Sequence, residues 1–215
     1  MSSILIIGGH GKIALLLAPL LREAGVEVTS LIRNAAHIDD VVAAGGTPVV
    51  HDVASSSVPE LAELFAGHDA IVFSAGAGGG SPERTYAVDR DAAIHSMDAA
   101  VAAGVPRYVM VSYMGAGLNH GVPPEDSFFA YAEAKAAADA HLRGSALAWT
   151  ILGPGALTLD PASGNITTTP EKSQSNTSRG NVALVAAAVL ARPETIGRTI
   201  EFTDGDVPID QALNP

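Results

Sequence analysis

A glycine-rich turn between an apolar strand and an amphipathic helix constrains this chain more than any other feature. Residues 4–21 read ILIIGGHGKIALLLAPLL. Four apolar residues run into Gly8, Gly9, His10, Gly11 and Lys12, and an apolar pattern at helical spacing then resumes. Glycine lacks a Cβ, so it permits a sharp turn and lets another molecule lie against bare backbone, at a cost in chain entropy. The Gly8-x-x-Gly11-x-x-Ala14 spacing puts backbone N–H groups and a helix N-terminus opposite an anion such as a pyrophosphate. Lys12 in the first helical turn adds charge, and His10 is a further candidate contact. The same spelling also serves a turn that merely lets strand and helix pack closely, so context decides.

That context is a regular alternation. Strands are expected at Ile4–Ile7, Glu27–Ile32, Thr47–His51, Ala70–Phe73, Tyr108–Ser112 and Trp149–Leu152, from β-rich apolar runs. Helices are expected near Lys12–Ala24, Ile38–Ala44, Pro59–Ala66, Glu83–Ala103 and Phe128–Leu142. Strands such as AIVFS and YVMVS are apolar throughout, as in a parallel sheet covered on both faces. Gly25, Gly45, Gly67 and Gly104 each follow a helical segment, where a left-handed cap belongs. The fold class is therefore α/β: a Rossmann-type doubly wound parallel sheet with helices on both faces, in one domain. Two loops break the rhythm, 115–127 and 153–180, the second with a short hairpin expected around Thr158–Thr169. Both start at the carboxyl ends of strands, the edge where ligands bind in open α/β sheets.

Composition narrows the partners. The chain has 215 residues, no cysteine and a formal net charge of −11. Such a field repels nucleic acid and anionic lipid. No apolar run reaches the ~18 residues of a membrane span, and no signal-peptide pattern precedes the first strand. These features point to a cytoplasmic protein with a small-molecule substrate, without membrane or nucleic-acid partners, as a monomer or homodimer. The seven histidines show no paired ligand spacing, so no metal is expected.

Further candidates sit at successive strand ends. An acid at the end of the second strand accepts ribose hydroxyls in NAD sites, whereas an arginine suits a 2′-phosphate. Here the strand ends LIRN, so Arg33 favours NADP(H) over NAD(H). Asp52 and Val53 follow the third strand and suit the adenine amine and ring face. Ser74, Ala75 and Gly76 follow the fourth and are small enough for close cofactor approach. Tyr131 and Lys135 lie one helical step apart, so both share a face. A nearby ammonium lowers a phenol's pKa and makes a proton donor for a carbonyl receiving hydride. On spacing alone, a half-buried tyrosine beside a solvated lysine paired with Asp139 reads equally well. Asp89 and Asp91 read as acids near a helix N-terminus, favourable to its dipole.

Taken together, IIGGHGKIA, AAVAAGVPRYVMVSYMGA, YAEAK, WTILGPGALT, SRGNVA and GRTIEFTDGDVPIDQAL resemble the atypical branch of the short-chain dehydrogenase/reductase superfamily, which includes flavin-reductase-like and NmrA-like proteins. The resemblance implies NADP(H) across the carboxyl edge of the sheet. It assigns Gly8, Gly11, Lys12 and Ile13 to the phosphate loop, Arg33 to cofactor choice, and Asp52 and Val53 to adenine. Tyr131 becomes the proton donor, and Lys135 holds the nicotinamide ribose while lowering the tyrosine pKa. Pro154 and Gly155 match the family's Pro-Gly after the sixth strand. Three positions depart from the pattern: Ser112-Tyr113 stands for Ser-Ser, Gly153 for an arginine, and Asn181 for an aspartate expected to cap a helix. The implied function is NADPH-dependent hydride transfer to a small carbonyl, quinone or flavin-like acceptor. The alternative is a non-catalytic NmrA-like sensor of dinucleotides; an epimerase or dehydratase fits a longer chain better.

Overall fold

In the computed structural model, residues 3–79, 81–170 and 176–214 are described. The first half contains β1 (Ser3–Ile7), α1 (Lys12–Glu23), β2 (Glu27–Ile32), α2 (Ile38–Ala43) and β3 (Thr47–Val50). After α3 (Val58–Phe65) and β4 (Ala70–Phe73) comes one long helical run. It comprises α4 (Pro82–Thr85), a π-helical stretch over Tyr86–Ala92, and α5 (Ala93–Ala102). Next are β5 (Arg107–Val111), α6 (Phe129–Gly144) and β6 (Ala148–Pro154). The remainder holds β7 (Ala156–Thr158), β8 (Asn165–Thr167), β9 (Asn176–Ser178), α7 (Arg179–Leu190), β10 (Arg198–Asp204), β11 (Val207–Pro208) and α8 (Ile209–Ala212).

Among the described residues the main sheet is ordered β11-β8-β10-β6-β5-β4-β1-β2-β3. The seven strands from β3 to β10 are parallel, and β8 and β11 add an antiparallel edge. The chain winds from β1 out to β3 and then crosses back to β4 on the other side of β1. The carboxyl ends of β1 and β4 therefore flank the topological switch point, where such sheets open a crevice for ligands.

Period-two alternation divides each central strand between two cores. Ile4 and Ile6 of β1 join Leu17, Leu21, Val182 and Val185 from α1 and α7 on one face. Leu5 and Ile7 join Leu61, Phe65, Met97 and Leu142 from α3, α5 and α6 on the other. Each such side chain contributes about 1.5–3 kcal/mol when fully buried, so both faces anchor β1 and β4 beneath the crevice. The glycines at 25, 45, 67 and 104 all have positive φ, between 71° and 85°. They end their helices in the left-handed conformation that costs a side chain dearly.

The hairpin expected around Thr158–Thr169 does not form. Thr158 ends β7, whose parallel partner is β9, while Ile166 and Thr167 pair with β10 instead. Asn181 supplies the physical reason. Its side-chain amide reaches Ser163 Oγ at 3.0 Å, the Asn165 carbonyl at 3.1 Å and Asp204 Oδ1 at 2.7 Å. Its side-chain oxygen accepts from the Gly164 amide at 2.9 Å. These bonds pull the 163–165 turn onto β10 and away from β7. The capping expectation for Asn181 also needs correction: Ser178 caps α7 by accepting from the Asn181 amide at 3.0 Å. Part of the expected 153–180 loop, residues 171–175, lies outside the described residues.

Candidate functional site

A groove runs along the carboxyl edge of β1, β2 and β3. It is lined by Gly8, His10, Gly11, Arg33, Asp52 and Val53, and continues to Ser74, Ala75, Gly76 and Ala77 after β4. Gly8 has φ +83°, and a Cβ there would stand 2.6 Å from Ala75 Cα. At Gly9 a Cβ would stand 2.5 Å from Ser30 Cβ. These two glycines thus serve close packing of the loop as much as access to its backbone, so both readings of the turn apply. What the loop presents outward suits an anion. Gly11 is the N-cap of α1, no side chain caps that helix, and its first turn holds no acid. Its leading amides and dipole face the groove without a competing carboxylate. Arg33 is exposed and makes no hydrogen bond or ion pair among the described residues. Asp52 turns its carboxylate back to the Ala54 amide at 3.1 Å, fixing the loop after β3. His10 stacks on His37 at 3.6 Å between ring centroids, with its Nε2 2.8 Å from Asp40 Oδ2. Gly8, His10, Gly11, Arg33, Asp52, Val53 and Ser74–Gly76 are thus the residues along this edge that could hold a dinucleotide.

A second cavity meets the groove at Ser74, Ala75, Gly76 and Ala77, which line both. Its lining also includes Ile13, Asp89, Ser112, Phe128, Tyr131 and Leu157. Among the described residues, no lysine, arginine or histidine lines it. The sheet end delivers Ser112, α6 delivers Tyr131, and the π-helical stretch delivers Asp89. Wide π turns of this kind recur at functional sites.

Beneath this wall lies a buried ionisable cluster. Asp89, Lys135 and Asp139 are all withdrawn from solvent, each at 1% exposure or less. Lys135 Nζ donates to the Val111 carbonyl at 2.9 Å, and the Met110 sulfur is 3.2 Å away. Asp89 accepts from the Ala77 amide at 3.0 Å. Ser112 Oγ and Asp139 Oδ2 are hydrogen-bonded at 2.6 Å, while Asp139 Oδ1 has no partner among the described residues. Burial pushes both carboxyls up, opposed by the Ala77 amide at Asp89 and by Lys135 at Asp139. Burial pushes the Lys135 ammonium down, against the pull of Asp139 and Asp89. Tyr131 is driven upward, first by burial and then by the charges of Asp89 and Asp139.

Several sequence expectations change here. Tyr131 does reach the cavity, but its phenol is held protonated rather than eased toward phenolate. Lys135 is neither solvated nor paired with Asp139; it points inward and lines neither cavity. Tyr113 does not replace a second serine. Its hydroxyl is buried without a partner among the described residues, and its ring packs on Phe128 and Tyr131 at 5.2 and 5.5 Å between centroids. Lys12, Pro154 and Gly155 line neither cavity. Gly155 instead donates its amide to Phe202 O and Thr177 Oγ1. Asp89, read from sequence as a helix-start acid, and Asp139, read as a surface partner, are the residues missed. A signal was available: Asp89 falls on the buried stripe Thr85, Asp89, Ala92, Ala93, Ser96, and Asp139 on Lys135, Asp139, Leu142.

Comparison with known proteins agrees with this geometry. A family model described as NAD(P)H-binding matches residues 8–193. The chain is 32% identical over 216 aligned residues to YhfK of Bacillus subtilis, named an uncharacterised sugar epimerase, covering 98% of each. Among solved structures, one from Bacillus halodurans named for the NAD-dependent epimerases/dehydratases superposes with a TM-score of 0.90. It is 31% identical and covers 99% of both chains. The oxidoreductase ylbE of Lactococcus lactis gives a TM-score of 0.87 at 28% identity, covering 98% of this chain and 94% of its own.

Proposed function

The chain belongs to the NAD(P)H-binding family of atypical short-chain-dehydrogenase-like proteins, and on that premise we propose that it is an NADPH-dependent reductase of a small, neutral carbonyl, quinone or flavin-like acceptor. The observation that carries this reading is the second cavity, which joins the groove and holds a protonated phenol and, among the described residues, no cationic side chain. Hydride is what a reduced nicotinamide supplies when bound. The acceptor oxygen gains its proton from Tyr131, whose high pKa keeps that proton in place until negative charge develops on the oxygen. Ile13, Phe128 and Leu157 give the cavity an apolar lining, and Arg33 favours the 2′-phosphate of NADPH.

The epimerase names belong to the relatives. A phosphorylated or nucleotide-linked substrate would meet Asp89 at the cavity wall and, among the described residues, no lysine, arginine or histidine, which supports a neutral acceptor. A sensing role without turnover draws its support from Lys135, whose ammonium is committed to the Val111 carbonyl rather than exposed to a ribose. A panel of quinones, flavins and aldehydes, followed by loss of NADPH absorbance, separates the two. Turnover of a neutral acceptor supports the reductase; tight NADPH binding with no turnover across the panel supports the sensor.

A further inference from the structure

We propose that Asp139 carries a proton at neutral pH and acts as the positioning residue for Ser112, releasing the Ser112 hydroxyl to polarise an acceptor oxygen in the cavity. The first step is a charge count. The buried cluster holds one ammonium, Lys135, and two carboxyls, Asp89 and Asp139, each at 1% exposure or less, with Asp89 at the cavity wall. Full ionisation leaves one uncompensated negative charge in a medium that penalises it heavily. One ammonium balances one carboxylate, so the second carboxyl is neutral.

Hydrogen bonding decides which acid is neutral. Asp89 accepts a backbone amide from Ala77, a fixed donor that favours the anion. Asp139 has a single partner, the Ser112 hydroxyl, and its other oxygen faces no donor among the described residues. A bare carboxylate oxygen in the interior is costly, and a neutral acid relieves that cost. The other groups around Asp139 are Lys135 and Arg143 on its own helix, with Tyr113 and Tyr131 toward the cavity. Lys135 and Arg143 favour its anion, yet Lys135 acts on Asp89 as well, and Arg143 is exposed and bonds Thr199.

The consequence for Ser112 follows from proton bookkeeping. Were Asp139 ionised, Ser112 would spend its only proton on the carboxylate and offer the cavity lone pairs alone. With Asp139 protonated, its O–H donates to Ser112 Oγ, and the serine proton turns toward the acceptor oxygen. No proton leaves Asp139 in this arrangement; the transferred proton remains that of Tyr131. The serine supplies a preorganised donor, the kind whose removal costs on the order of a hundredfold in rate.

The proton assignment is independent of the proposed reaction, whereas the polarising role rests on it. Infrared difference spectroscopy on the whole protein, comparing it with Asp139→Asn, tests the first. A protonated-carboxyl C=O band that shifts in heavy water is expected in the parent at neutral pH. It should vanish in Asp139→Asn and shift in Ser112→Ala, which retains the acid but loses its partner. Absence of the band in the parent, its persistence in Asp139→Asn, or a band unmoved in Ser112→Ala overturns the assignment. For the second, kcat on a carbonyl acceptor should fall at alkaline pH in the parent, and that limb should be missing in Asp139→Asn. The same alkaline limb in both proteins overturns the positioning role. A normal band without turnover of any acceptor sinks the reductase reading and the polarising role with it, while the proton assignment stands.

Discussion

Glu201 reaches across Gly153 to the Gly115 amide, accepting its hydrogen bond at 2.7 Å. The two residues face each other in the β6–β10 register. A Cβ on Gly153 would stand 3.1 Å from Glu201 Cγ and 3.3 Å from the Tyr113 carbonyl oxygen. The arginine that the family resemblance leads one to expect at this position would meet Glu201, which lies over Gly153 and holds the turn after β5. Gly153→Ala is expected to cost about 1–3 kcal/mol by overpacking. The cost should shrink in a Glu201→Ala background, where one of the two obstructions is gone. Urea midpoints of the four proteins give the coupling directly; equal costs in both backgrounds would refute this account of Gly153.

Arg107 is a second internal clasp. Only 4% exposed, it donates to Ala148 O at 2.7 Å, Val189 O at 2.9 Å and Thr150 Oγ1 at 2.8 Å, tying β5 to β6 and α7. Burial lowers its pKa to about 10, so the guanidinium remains charged at neutral pH. Arg107→Leu strands several buried acceptors at once, and a loss of about 3 kcal/mol or more is expected. Arg107→Lys should recover less than half of that, because a single ammonium cannot span a planar fork of donors. Denaturant unfolding measures both, and full recovery by lysine would contradict the clasp.

The contrast between these clasps and the helices explains what the sequence made legible. Strands β1 to β6 and helices α1 to α6 fall within about two residues of expectation, because one local period or one terminal glycine marks each boundary. The α7 stretch NVALVAAAVL is apolar on every side, so no amphipathic period marks it. The placing of β8 depends on Asn181 and Asp204, partners that no local pattern reveals. At the site, backbone-borne features such as Gly8, Gly11 and Ser74 could be read from loop positions. Side-chain direction could not: Tyr113 turns into an aromatic cluster and Lys135 into the core through packing between α6, β5 and the π-helical stretch.

Cofactor preference tests the groove. Arg33 has no internal partner to give up, so its loss should affect binding rather than folding. Arg33→Ala is expected to weaken NADPH binding by on the order of ten- to hundredfold, the worth of a charged hydrogen bond. NADH affinity should change little. Fluorescence titration of parent and variant with both nucleotides checks this, and equal parent affinities for the two would remove Arg33 from the role.

Tyr131 tests the chemistry. With its phenol raised by burial and by two acids, the neutral form prevails throughout the working range. Tyr131→Phe should therefore reduce carbonyl turnover by on the order of a hundredfold, with NADPH affinity nearly intact. The parent rate should show no loss from phenol ionisation below about pH 9. An unchanged rate in Tyr131→Phe on a confirmed carbonyl acceptor would exclude it as the acid.

Stability against pH reports on the same buried acids without any substrate. Burial raises both Asp89 and Asp139 above the ordinary carboxylate range, so the folded protein keeps protons that the unfolded chain releases. Unfolding then liberates protons, and stability declines as pH rises from about 4 through the raised folded-state values. Lys135 has the opposite sign: its folded pKa is lowered, so its contribution improves only as pH climbs toward about 10.4. Asp139→Asn replaces one acid with a group that is always neutral. Its melting temperature relative to the parent should therefore rise between about pH 5 and about pH 8, by at least about 2 °C if 1 kcal/mol is involved. Thermal unfolding across that range is the measurement. A constant difference would mean that Asp139 has the same charge in folded and unfolded chains at every pH tested, leaving the buried ammonium with two ionised neighbours and no relief.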